Sequence, residues 1–343
     1  MNLYNLVRPS FFLMDPEQAH DLALAALDKA YSIKLLPALV GKIPERPITL
    51  CGLQLPNPVG LAAGLDKDGK HIDALSTLGF GYLEIGTVTP LPQAGNPKPR
   101  MFRLSNSLGI INRMGFNNDG VDACVARVKT SNFYQQGGVI GLNIGKNAST
   151  PIESAANDYV ECLRKVYPVA SYITINISSP NTKNLRQLQG GSDLVELLRA
   201  IDAEREKLIQ QYSKRTPLFL KIAPDLDGDA IRQICDALQT FKIDALIATN
   251  TTLSREGIDT EIHRIQAGGL SGKPVKALST KTIRSFAKIL NGNIPIIGVG
   301  GIMNGSDALE KHHAGASAIQ LYSGLIYKGP HLIKDCIVAL DTP

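Results

Sequence analysis

From Pro47 onward the chain alternates between short apolar runs and longer stretches with helical spacing. The apolar runs are Val59–Ala63, Tyr82–Ile85, Val139–Asn143, Tyr172–Ile177, Leu218–Ile222, Ala245–Ala248, Ile294–Val299 and Ala318–Tyr322. Between most of them lie segments with a 3.6-residue apolar period, among them Ser154–Val166, Asp193–Tyr212, Asp229–Thr240 and Thr280–Leu290. Strands that alternate with helices predict βαβ units and a parallel sheet. Eight of them predict an α/β fold closed into a (β/α)8 barrel, the TIM barrel. An open doubly wound sheet is the rival, but no G-x-G-x-x-G follows the first strand. The barrel carries a corollary: functional residues should cluster at the C-terminal ends of the strands.

The first forty or so residues have a different pattern. Asp15-Pro16-Glu17-Gln18 reads as a helix start, with Asp as N-cap and Pro at the first helical position. Ala19, Leu22, Ala23, Ala26, Leu27 and Ala30 follow at helical spacing. A cluster of Leu3, Leu6, Val7, Phe11, Phe12, Leu13 and Met14 precedes this helix, and Ile33, Leu35, Leu36, Leu39 and Val40 come after it. Lys42 to Pro47 reads as a linker. Such an appendage either packs on the main domain or leaves an apolar face exposed for a lipid surface or lipid-soluble ligand. Charge does not separate the two, because residues 1–47 hold five basic and five acidic side chains.

Composition narrows the function classes. The chain has 343 residues, 44% hydrophobic and 20% charged, as a well-packed globular protein does. A net charge of +5 with no Lys/Arg block gives no support for nucleic-acid binding. The five cysteines (Cys51, Cys124, Cys162, Cys235 and Cys336) are widely spaced, so neither a disulfide framework nor a zinc site is expected. Cys124 and Cys162 are expected as small buried residues on helices. The N-terminus lacks the pattern of a signal peptide. No run of about 18 apolar residues occurs, so no spanning helix is expected.

Candidate chemistry sits at the ends of the predicted strands. The first ends in Ala62-Ala-Gly-Leu-Asp-Lys67, where Gly64 lets the backbone pass close to a planar ring and Lys67 can meet an anion. The last two end in Gly298-Val-Gly-Gly-Ile302 and Gln320-Leu-Tyr-Ser-Gly324, the usual place of a barrel's phosphate cradle. Gly268-Gly-Leu-Ser-Gly272 adds backbone donors. Lys221 lies inside an apolar strand, which is costly without a partner. It could face a flavin N1/O2 edge, form a Schiff base as in barrel aldolases, or extend to an edge. Asn112, Asn117, Asn143, Asn176, Asn181 and Asn250 fall at or just after strand ends. Each offers a donor and an acceptor, a set suited to a cyclic imide such as a pyrimidine. Ser179, in Ile177-Ser-Ser-Pro-Asn-Thr182, has no histidine near it in sequence, so a Ser-His-Asp hydrolase is unsupported. H-E-x-x-H spacing is also absent, and His312-His313 reads as a surface pair on a helix.

These motifs resemble those of the quinone-linked dihydroorotate dehydrogenases of Gram-negative bacteria. The likeness runs through Gly60 to Asp68, Glu84 to Pro90, Asn112 to Asn118, Asn143 to Asn147, Asn176 to Thr182, Lys221 to Asp225, Ala248 to Thr252, Gly268 to Gly272, Gly298 to Ile302 and Tyr322 to Gly324. It covers nearly the whole chain. The residue before Pro-Asn is the family's base, Ser in the membrane-associated class and Cys in the soluble one. Ser179 and the apolar N-terminus both point to the former.

The resemblance implies one non-covalent flavin mononucleotide (FMN) per chain, held by Ala63, Gly64, Leu65, Asp66, Lys67, Thr87, Asn143, Asn176, Lys221, Thr249, Gly272, Gly301, Tyr322 and Ser323. It implies substrate contacts from Lys67, Asn112, Arg113, Met114, Gly115, Phe116, Asn176, Asn181, Asn250 and Thr251. Ser179 would take the proton from C5 of dihydroorotate while C6 gives up a hydride, with Thr182 relaying the proton and Phe116 covering the site. No metal is implied. Residues 1–44 would give a membrane quinone (ubiquinone or menaquinone) access, and residues 45–343 would form the catalytic barrel. The expected setting is a monomer, peripheral on the cytoplasmic face of the inner membrane, with no nucleic-acid partner.

Overall fold

The computed structural model describes residues 3–341, apart from the side chains of Leu3 and Asn5. The expected place of Leu3 in the N-terminal apolar cluster therefore lies outside the described side chains. Eight strands form a closed, all-parallel barrel: β1 (Val59–Leu61), β2 (Tyr82–Val88), β3 (Ile140–Ile144), β4 (Tyr172–Asn176), β5 (Leu218–Ile222), β6 (Ala245–Ala248), β7 (Ile296–Val299) and β8 (Ala316–Leu321). Each pairs with the next in sequence, and β8 closes on β1 through Ile319 opposite Val59. All eight expected runs are barrel strands, and closure excludes the open sheet.

Strand alternation divides the barrel into two apolar regions. Outward residues such as Leu61, Leu83, Ile85, Leu142, Ile173, Ile175, Leu220 and Leu246 pack beneath the surrounding helices. Inward residues Tyr82, Tyr172, Phe219, Ile247 and Ile297 fill the end where the strands begin. Tyr172 stacks on Phe219 at 4.4 Å between ring centroids. Gly60 and Gly141 make room for these rings: a Cβ there would lie 2.3 Å from the Tyr82 ring and 2.0 Å from the Tyr172 ring. With that end filled by aromatics, ligand space remains only at the C-terminal end.

Two additions escape the sequence pattern. A hairpin, Ile48–Leu50 with Leu53–Leu55, presses Leu50 and Leu55 onto the aromatic plug. Its strands are too short for a period to register. A three-stranded antiparallel sheet of Met101–Leu104, Gly109–Asn112 and Gly269–Gly272 stands beside the mouth. The Gly268–Gly272 stretch, expected as a loop of donors, is thus mostly strand. It needs its glycines because Cβ atoms at Gly268 and Gly272 would each lie 2.3 Å from a carbonyl oxygen, of Asn112 and Leu108 respectively.

The N-terminal segment folds as α1 (Leu3–Phe12), α2 (Pro16–Ser32) and α3 (Leu36–Val40). Asp15 caps α2 as expected, accepting hydrogen bonds from the N–H groups of Glu17 and Gln18. Polar anchors hold the segment to the barrel. Arg100 donates to both Glu17 carboxylate oxygens at 2.7 and 3.2 Å. Arg103 donates to the carbonyls of Phe12 and Met14 and covers the Phe12 ring. Asp28 meets the His71 ring at 2.7 Å. The expected apolar face of α2 is split: Ala19 is buried and Leu27 and Ala30 half-buried, whereas Leu22, Ala23 and Ala26 are exposed, and Leu24, outside that set, is buried. Leu6, Leu13, Ile33, Leu35 and Leu39 are exposed as well, Leu13 at 91%. The segment therefore both docks and leaves apolar surface in solvent. Among the described residues no helix is long and apolar enough to cross a membrane.

Cys124 and Cys162 are fully buried on helices and His312 and His313 exposed on one, as their sequence context suggested.

Candidate active site

The C-terminal ends of the barrel strands surround one cavity. Its floor is a polar network built on Glu84, which β2 points inward and which has no exposed surface. One carboxylate oxygen accepts from Asn143 Nδ2 at 2.8 Å and from Lys221 Nζ at 3.4 Å. The other accepts from Gln320 Nε2 at 2.7 Å and from the Tyr172 and Thr174 hydroxyls, each at 3.2 Å. A layer higher, Asn143 Oδ1 accepts from the Thr87 hydroxyl at 2.6 Å and from Asn176 Nδ2 at 3.2 Å. Asn176 Oδ1 then accepts from the Ser178 hydroxyl, whose oxygen accepts from Asn250 Nδ2, each at 2.9 Å. The chain of bonds fixes which side of each amide faces the ligand space.

The walls are cationic and amide-rich. The lining residues include two lysines, Lys67 and Lys221, and no carboxylate. Lys67 has no hydrogen-bonding or ion-pairing partner among the described residues, and burial lowers its ammonium below the usual lysine range. Asn112, Asn176, Asn181 and Asn250 also line the cavity. Backbone glycines form the side nearest β7 and β8: Gly272, Gly300 and Gly301 all have positive φ, and Ser323 donates to the Ser271 hydroxyl at 2.9 Å. Thr249 Oγ1, Thr251 Oγ1 and Gln320 Oε1 are buried without hydrogen-bond partners, although their residues line the cavity. Buried polar atoms are ordinarily paired. Unpaired groups, two cations and glycine-exposed backbone together fit a planar, polar, anionic group such as FMN.

A family model described as "Dihydroorotate dehydrogenase" matches residues 47–342. The chain belongs to the dihydroorotate dehydrogenase family. It is 61% identical over 337 residues to a dihydroorotate dehydrogenase (quinone) of Polynucleobacter asymbioticus, covering 98% of each chain. It is 55% identical over 338 residues to one from Acinetobacter baumannii, covering 98% of this chain and 99% of that one. Among solved structures it resembles the dihydroorotate dehydrogenase of Eimeria tenella in complex with ferulenol. The TM-score there is 0.86 at 39% identity, over 95% of this chain and 90% of that one. It thus groups with the quinone-linked members of the family.

Most of the site residues expected of a dihydroorotate dehydrogenase meet in this cavity. Ala63, Gly64, Lys67, Thr87, Asn176, Lys221, Thr249, Gly272, Gly301, Tyr322 and Ser323 line it, as do Asn112, Met114, Gly115, Phe116, Asn181, Asn250 and Thr251. Six others do not. Asn143 belongs to the floor network, bonded to Glu84, Thr87 and Asn176, and does not reach the lining. Leu65 packs in the core, and Asp66 accepts from the N–H groups of Asp68, Lys70 and His71, fixing the turn that carries Lys67. Arg113 turns away: it donates to Gln266, Ala267 and Pro99 and stacks on Phe102. Its neighbours on the strand and loop face the cavity while its side chain faces the adjoining segment.

Ser179 and Thr182 sit in the loop after β4 but outside the lining. Ser179 Oγ accepts from the Asn181 N–H at 3.2 Å, and Thr182 Oγ1 is buried without a partner. Glu84 and Gln320 were not expected as floor residues. Lys221 was the one signal that could have found Glu84, since a buried cation requires a partner. His20 was not expected near this site either. From α2 this ring reaches the Leu65 backbone and the field of Lys67, and burial pushes its pKa down to about 3.

Proposed function

We infer that this chain oxidises dihydroorotate to orotate in the de novo route to UMP, using FMN and passing the electrons to a quinone. The observation that carries this reading is the cavity wall: two lysines and four asparagines with no carboxylate. Such a lining suits an anionic flavin and an anionic pyrimidine together, since each asparagine supplies a donor and an acceptor. FMN, when bound, supplies the two-electron acceptor for the hydride from C6 of the substrate.

The chain's own residues do the rest. Thr87, Asn176, Lys221, Thr249, Gly272, Gly301, Tyr322 and Ser323 are the proposed FMN contacts, binding one FMN per chain without a covalent bond. Lys67 takes the substrate carboxylate. Asn112, Asn176, Asn181 and Asn250 hold the ring so that its C5–H points at one place. Ser179 takes the C5 proton. A serine oxygen is a weak base on its own, and the Asn181 N–H aimed at Oγ favours the negative charge that develops there. Thr182 relays the proton outward and Phe116 covers the ring.

We further propose the division into residues 1–44 and 45–343. The first segment presents exposed apolar side chains to the bilayer and admits the quinone, and the second carries the chemistry. The enzyme would work as a monomer, peripheral on the cytoplasmic face of the inner membrane.

The visible spectrum tests the reading. The purified chain is expected to be yellow, with a flavin band that bleaches on adding dihydroorotate under nitrogen and returns with a quinone analogue. A protein that takes up no FMN, or whose flavin band ignores dihydroorotate, rejects it.

A further inference from the structure

Glu84 lies in the cavity floor without touching the ligand space itself, yet it bonds to five donors around it. Its carboxylate is fully buried and accepts from Asn143, Lys221, Gln320, Tyr172 and Thr174. Two of these donors, Lys221 and Gln320, line the cavity, and Asn143 bonds to two more that do, Thr87 and Asn176. Apart from Lys221 and Glu84, the floor is made of neutral groups. The ammonium that should stabilise an electron-rich ring is therefore answered from below by a carboxylate, and the floor as a whole carries no net charge.

We propose that Glu84 is a positioning residue that limits the electron affinity of the bound flavin by compensating Lys221 and by fixing the donor faces of Asn143 and Gln320. The proposal rests on the flavin reading above. Two consequences follow from the geometry. The carboxylate is oriented so that each oxygen has its own donors, which leaves Lys221 at 3.4 Å, the longest of the five contacts. The ammonium is thus held loosely enough to share its charge with a ligand above it. A floor with an uncompensated lysine would hold the reduced, electron-rich flavin too tightly to release its electrons readily.

The test compares reduced with oxidised FMN binding in Glu84→Gln, Glu84→Asp and the parent holoenzyme. The readout is the flavin reduction potential, which reports that ratio independently of turnover. In Glu84→Gln the ratio should shift at least tenfold toward reduced FMN, about 30 mV more positive for a two-electron couple. Glu84→Asp, which keeps the charge, should stay within about threefold of the parent. Thr174→Val serves if the glutamine variant does not fold. It removes one hydroxyl donor from Glu84 without touching the cavity, leaves more of the carboxylate's charge on Lys221, and should shift the ratio the opposite way. Normal FMN uptake with an unchanged potential in whichever of the two variants folds overturns the proposal alone. A parent chain that binds no FMN overturns it together with the function.

Discussion

The barrel mouth and the N-terminal segment treat their polar and apolar groups in opposite ways. At the mouth, buried amides and charges are linked into one network, from Glu84 through Asn143 and Asn176 to Asn250, and residues that carry unpaired buried atoms line the ligand space. In the N-terminal segment a few strong polar anchors, Arg100 on Glu17 and Arg103 on two carbonyls, hold helices whose apolar side chains are left in solvent. The first arrangement fixes atoms to fractions of an ångström, as proton and hydride transfer require. The second fixes only a docking pose and leaves a greasy surface. One region is built for geometry; the other, on the reading proposed above, serves partition onto lipid. Substitutions in the first should abolish chemistry and spare lipid association, and those in the second should do the reverse.

The largest expected effect is at Ser179. Ser179→Ala should lower turnover by about 10²–10⁴-fold, the usual worth of a positioned base. The flavin spectrum should stay intact, and Ser179→Cys should recover part of the rate at raised pH. An alanine variant with full activity would remove Ser179 from the mechanism. Next is Lys67→Met. Losing a charge-assisted contact to the substrate carboxylate should reduce kcat/KM by roughly a hundredfold, mostly in KM, with FMN retained. Steady-state kinetics on the yellow protein measure this, and an unchanged KM contradicts the assignment.

On the other side of the comparison, Glu17→Gln breaks a buried ion pair and leaves the Arg100 charge only the Ala94 and Asn96 carbonyls. The cost to N-terminal docking should be about 3 kcal/mol. Limited proteolysis should then cut near residues 41–47 far faster while the flavin band stays. A cut rate equal to the parent's would show that Glu17 does not anchor the segment. Leu13 and Leu22 are the complementary test. Replacing both by Ser should change stability by less than about 0.5 kcal/mol each, yet lower partition onto lipid vesicles about tenfold. Vesicle co-sedimentation that does not change would mean the exposed face is not what meets the bilayer.

The smallest effect is a pH dependence of the same docking. Burial pushes the His20 pKa down to about 3, so the folded state keeps the ring neutral. In an undocked chain the ring takes a proton below about 6.5. Docking is therefore unaffected above that value and weakens as pH falls from about 6.5 toward 3. The Glu17 carboxyl acts in the same direction. Its pKa is lowered, although burial raises it, because the hydrogen bond and charge of Arg100 outweigh the burial together with Lys98. Its contribution is lost as acid protonates it. Proteolysis at pH 7 and pH 5 should show faster cutting at the lower value, and His20→Gln should reduce the difference.

The pattern of apolar runs by itself determined the barrel, its strand order and the end at which function lies. Parallel strands buried on both faces are continuous apolar segments, so they stand out in one dimension. The motifs at their ends were legible too, because a βα turn keeps neighbours in sequence together in space; hence Gly64, Lys67, Asn176 and Asn250 could be gathered from the sequence. The hairpin and the three-stranded sheet were not legible, being too short or too glycine-rich to leave a period. Arg113 could not be told from its neighbours in the Asn112–Phe116 run, since only the fold decides which way a side chain turns. Nor could Glu84 be connected to Lys221, 137 positions away along the chain. That pairing exists because β2 and β5 face each other across a closed barrel. Whether a buried lysine acts as a free cation or as half of a neutral pair is set by that closure, and only the tertiary structure could decide it.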